Sequence, residues 1–182
     1  MDVSTCLDAD TTIPSAVAEK FGEILWSWRA LGRFERPRCT QDLLHTLDKS
    51  HPYVQALADS DLRSFAFPTD TLRELIRALW MVLLSGLREK RPAGDVAITK
   101  AILLITRGRI GPAFDSNVQS ETGTFYINNS EALISFLSSL AADLALFENR
   151  HSARIEDLVP FERGPVAVGR AMDMLLGPKD KH

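Results

Sequence analysis

Cysteine is scarce in this chain. Cys6 and Cys39 are the only two among 182 residues, and they form no C-x-x-C. Neither a disulfide framework nor a cysteine-bound metal is expected, and both thiols are read as reduced. Common site motifs are missing as well: there is no G-x-S-x-G, H-E-x-x-H, Walker loop, dinucleotide fingerprint or EF-hand loop. His45, His51, His151 and His182 show no metal-ligand spacing. No metal and no cofactor is therefore expected.

Long apolar runs are also lacking. The longest, near "ALWMVLLSGL", falls far short of a membrane span, and the N-terminus "MDVSTCLDADTTIPS" carries aspartates where a signal peptide needs an apolar core. A cytoplasmic protein without a membrane partner is the expectation. There is no basic excess: the formal charge is −3 and the pI near 5.8, so nothing draws the whole molecule to phosphate. Hydrophobic residues make up 45% and charged residues 25%, ordinary globular values, and a chain of this length can bury roughly 70% of its unfolded surface.

What is present is helical periodicity. Residues 1–12 are polar and aperiodic and read as a loose tail, 13–177 as one α-helical domain, and 178–182 as a C-terminal tail. Val17, Phe21, Ile24, Leu25 and Trp28 mark one helical face, and Trp26 falls partly off it. A shorter helix starts at Thr40 with Leu43, Leu44 and Leu47 inward, and His45 and His51 flank its end. Leu72, Leu75, Ile76, Leu79, Leu83 and Leu87 trace a long helix, with Thr71 and Glu74 at capping-box spacing. "RPAG" at 91–94 turns the chain into "DVAITKAILLITRG", an almost wholly apolar helix stopped by Gly108, Gly111 and Pro112. Phe114 and Asp115 look like a hydrophobic staple followed by a helix cap. Two more helices follow, one through Leu133, Phe136, Leu137, Leu140 and Leu144, the other through Val168, Met172, Leu175 and Leu176. Six to eight helices and no convincing strand give an irregular, all-α single-domain bundle with a central helical hairpin.

Charge is uneven along this framework. From Arg88 to Arg109 six basic residues face two acids, a local +4 that leaves −7 for the remainder. Lys90, Arg91, Arg107 and Arg109 with Gly94 could hold phosphates, or could be the solvated ends of helices. Lys100 interrupts an apolar run; a desolvated lysine suits Schiff-base chemistry, and equally a lysine there can snorkel or pair with a carboxylate. Asp115 could stabilise a developing cation or only cap a helix. Phe125-Tyr126 could stack on a base, or pack as core. Arg170 and Asp173, at i and i+3, read as an intrahelical pair.

A long helix, the turn "RPAG", the apolar helix and "PAFDSNV" together resemble the helix-hairpin-helix DNA glycosylase fold over roughly residues 70–118. In that family the hairpin grips DNA phosphates and an aspartate after the second hairpin helix supports base excision, which by resemblance is Asp115. The hairpin here has Gly94 followed by Asp95 where the family has G-x-G, and Lys100 lies farther along the helix than the lysine of the bifunctional members. Thr99-Lys100, "DSNV" and the ending "GRAMDMLL" also resemble uncharacterised bacterial proteins sharing an S/T-K…D-S-x-V pattern. The resemblance implies a DNA-binding protein acting on damaged bases or abasic sites, with Asp115 and Lys100 as its catalytic candidates. Two alternatives stay open: a non-enzymatic helical module that binds a protein partner or nucleic acid without chemistry, and a small-molecule enzyme walled by Trp26, Trp28 and Trp80.

Overall fold

The computed structural model describes residues 13–30, 39–88, 93–124, 126–159 and 165–177. Seven α-helices and two 3-10 turns occur among them, and no strand, so the chain is all-α. Helix α1 spans Ser15–Ser27, and its stripe of Val17, Phe21 and Leu25 is buried while Trp26 stays 43% exposed. Trp28 is the residue that closes α1, half-buried rather than part of the inward face.

Helix α2 runs from Thr40 to Ala56, through Pro52, and is longer than the sequence suggests. His45 and His51 consequently lie inside it and not at its end. Proline costs the helix one amide bond, but Leu47, Val54 and the following Leu57 are buried on the same stripe, and that apolar burial offsets the loss.

Helix α3, Asp70–Gly86, is capped by Thr69, whose hydroxyl accepts from the Leu72 amide at 3.2 Å. The cap therefore sits two residues before Thr71, and Glu74 is engaged with Arg77 instead. Helix α4, Asp95–Ile105, buries Ala97, Ile98, Ala101, Ile102, Leu103 and Ile105, which places it centrally. It ends earlier than Gly111: Arg107 and Gly108 both take left-handed backbone angles, with φ of 56° and 75°. Helix α5 spans Ser116–Thr122, α6 Ser130–His151 and α7 Val168–Leu176.

The 22-residue α6 is long and apolar enough, by length and composition alone, to cross a membrane; its window has mean hydropathy 1.4 and is 39% buried. It packs most extensively on the 3-10 turn Leu62–Ala66 and then on α3. Arg63 of that turn is bidentate to Glu148 of α6 and to Glu156 of the second 3-10 turn, Ile155–Leu158. The buried residues from Ile13 to Met172 form one apolar cluster.

Candidate functional site

Ten residues, 106–115, connect α4 to α5, and hydrogen bonds tie both ends of this connector to other elements. Thr106 donates its hydroxyl to the Ile102 carbonyl and accepts from the Ile110 amide. The Arg109 carbonyl accepts from Leu62 at 3.0 Å, and the Gly108 carbonyl accepts from the Arg170 amide of α7 at 2.7 Å. Gly169 makes that last approach possible. A Cβ there would stand 2.7 Å from the Gly108 oxygen and the Gly111 nitrogen, both backbone, so only glycine fits.

The last three residues of the connector are held by three different helices. The Ala113 amide donates to Asp173 Oδ1 of α7 at 3.1 Å. The Phe114 amide donates to Thr99 Oγ1 of α4 at 2.9 Å, while the Phe114 ring lies fully buried, edge-on to Phe136 of α6 at 5.2 Å. Asp115 Oδ1 accepts from the Asn117 and Val118 amides at 3.0 and 3.2 Å, capping α5. The cap read from the sequence is thus present, while the Phe114 ring is seated on α6.

Because Thr99 holds Phe114, the next residue on each segment is brought to its counterpart. Lys100 Nζ stands 3.9 Å from Asp115 Oδ2, with side chains 13% and 22% exposed. The same ammonium donates to the Trp28 carbonyl at 3.0 Å and lies 6.0 Å from the centre of the Trp28 ring. Arg170 lies 5.8 Å from that ring and pairs with Asp173 through Oδ2. Two cations and two carboxylates therefore meet beside one indole. Burial pushes the Asp173 carboxyl above the ordinary aspartate range, and the neighbouring Asp115 charge adds to this; Arg170 and the Ala113 amide pull it back.

The remaining candidates lie apart from this cluster. Gly94 caps α4 through its backbone, at φ −79°, with open space where a Cβ would be, and Asp95 bonds the Val96 amide. Arg107 and Arg109 sit past the other end of α4, roughly 16 Å along its axis. Arg107 is exposed, and Arg109 turns its Nε back onto the Thr106 carbonyl. Lys90 and Arg91, like Phe125, lie outside the described residues. Tyr126 is 70% exposed. A separate groove of about 340 Å³ between α2 and α3 is lined by His45, Lys49, Met81 and Gly86 among others, and by none of the three tryptophans. Among the described residues no group of three or more His, Cys, Asp or Glu could hold a metal ion.

Sequence patterning pointed to Lys100 and Asp115, gave Trp28 as a helix-face or pocket-wall residue, and missed the Trp28 carbonyl as a partner of Lys100, the Thr99 hydroxyl as acceptor for Phe114 and the second bond of Asp173. Only Thr99 had a local signal, as the residue before a lysine in the S/T-K pattern. No family model, curated protein or solved structure matches the chain.

Proposed function

We propose that the chain binds DNA and acts at a damaged or abasic nucleotide through Lys100 and Asp115. The observation that carries this reading is the 3.9 Å approach of an ammonium and a carboxylate from separate elements, both largely shielded from water. A carboxylate so held stabilises positive charge on a sugar as its glycosidic bond lengthens. The lysine passes a proton to Asp115 Oδ2 and attacks the aldehyde carbon of an opened abasic sugar; a carbon–nitrogen bond forms, the proton goes on to the aldehyde oxygen and that oxygen leaves as water. Lys90, Arg91, Gly94, Arg107 and Arg109 are the phosphate contacts in this reading.

A second reading, a helical module that binds a partner without chemistry, is favoured by one specific feature. Asp115 Oδ1 already serves two amides and Lys100 already serves the Trp28 carbonyl, so each charge has a structural bond of its own.

The test is fluorescence-anisotropy binding to labelled duplex, intact or carrying an abasic-site analogue, across a salt series, followed by borohydride trapping on a true abasic duplex. Salt-sensitive binding that prefers the abasic duplex, with trapping lost in Lys100→Met, is the expected result. Binding that is absent at low salt overturns the DNA reading and leaves the partner-binding module.

A further inference from the structure

We infer that Asp173 is a positioning residue for the Lys100–Asp115 pair: its carboxylate holds the Ala113 amide, two residues ahead of Asp115, and so sets where the Asp115 carboxylate stands. The inference rests on the DNA reading only for what the pair then does. The placement itself is independent of any substrate.

An Arg-Asp pair at i, i+3 needs no burial and is ordinarily a surface feature. Asp173 departs from that pattern: its side chain is 14% exposed, against 42% for Arg170. A carboxylate this far out of water is costly unless its oxygens are satisfied. Oδ2 takes the Arg170 guanidinium and Oδ1 takes the Ala113 amide, sixty residues away in sequence. The bond reaches the connector at Ala113, whose carbonyl in turn accepts from the Asp115 amide at 3.0 Å. Gly169 and Arg170 fix its beginning at Gly108, and Thr99 fixes Phe114 from the α4 side. Asp173 alone ties the leg between them to α7 through a side chain among the bonds described. Arg170, on its own helix, and Asp115, ahead of α5, are the charged groups that face Asp173, with Lys100 of α4 behind Asp115.

The test uses the full chain labelled with nitrogen-15, together with Asp173→Asn and Asp173→Ala. In the unsubstituted protein the amides of Ala113, Asn117 and Val118 should share a titration step lying above the ordinary aspartate range. That step should vanish in Asp173→Asn, with the amides otherwise in place, because the asparagine oxygen still accepts from Ala113. In Asp173→Ala the Asn117 and Val118 amides should move, and borohydride trapping of Lys100 should fall about tenfold, with Asn restoring it to within about threefold. A folded Asp173→Ala protein with unmoved Asn117 and Val118 amides overturns the inference, as does a titration step confined to Ala113. Should the alanine variant not fold, the unsubstituted protein and Asp173→Asn decide the matter alone. The amide signature without trapping in any variant would uphold the positioning role and remove the DNA reading.

Discussion

The hydroxyl of Thr99 accepts the amide proton of Phe114 at 2.9 Å, and this bond brings together the segments whose next residues, Lys100 and Asp115, stand 3.9 Å apart. A pattern that reads in the sequence as S/T-K…D-S-x-V is thereby explained as a lock. The threonine fixes the register, the lysine and aspartate face one another, and Val118 anchors the start of α5 in the core.

Thr99→Val keeps the shape of the side chain and leaves the buried Phe114 amide without an acceptor. Its expected cost is about 1–3 kcal/mol in urea unfolding, since an unsatisfied buried donor bears its full desolvation penalty. Thr99→Ser keeps the acceptor and should lose much less. Equal losses in the two variants would count against the lock.

Asp115 separates capping from chemistry. Asparagine caps a helix about as well as aspartate, so Asp115→Asn should stay within a few tenths of a kcal/mol of the parent, while Asp115→Ala should lose about 1 kcal/mol. Under the proposed function both abolish trapping on abasic DNA. Trapping and release of a damaged base that both survive in Asp115→Asn would assign the residue to capping alone.

Gly169→Ala should be among the most damaging single-methyl changes in the chain. The added carbon meets backbone of Gly108 and Gly111 at 2.7 Å, and backbone cannot swing aside as a side chain can. A loss of about 1–3 kcal/mol is expected by thermal or denaturant unfolding, from overpacking alone.

The Arg63 clamp gives the fold an acid limb. Its guanidinium, by hydrogen bonding first, holds the Glu148 carboxyl below the ordinary glutamate value of 4.5. A carboxyl lowered in the folded state adds stability above its unfolded value and loses it as the pH falls through the folded one. Melting temperature should therefore drop as pH falls below about 4.5, and Glu148→Gln should flatten that part of the curve. An unchanged acid limb in the variant would show that Glu148 does not contribute to it.

Much of this was legible beforehand for physical reasons that act locally. Asp115 announces itself because a short carboxylate followed by Ser-Asn-Val has amides two and three residues on to accept from, and Lys100 because it interrupts an apolar face. Other local readings were displaced by packing. The cap of α3 fell to Thr69, and α2 ran through Pro52 because buried side chains on both sides of the proline outweigh one missing amide bond.

The sequence by itself determined the helices, their buried stripes and the cap at Asp115, because each rests on residues within one or two turns of one another. Only the tertiary structure decided the company that Lys100 and Asp115 keep. The Trp28 carbonyl reaches Lys100 across 72 residues of chain and Asp173 reaches Ala113 across 60. No local periodicity encodes such contacts. They arise because burying α4 among its neighbours brings the end of α1 against Lys100 and α7 against the connector that follows α4, where polar groups cut off from water must find partners in one another.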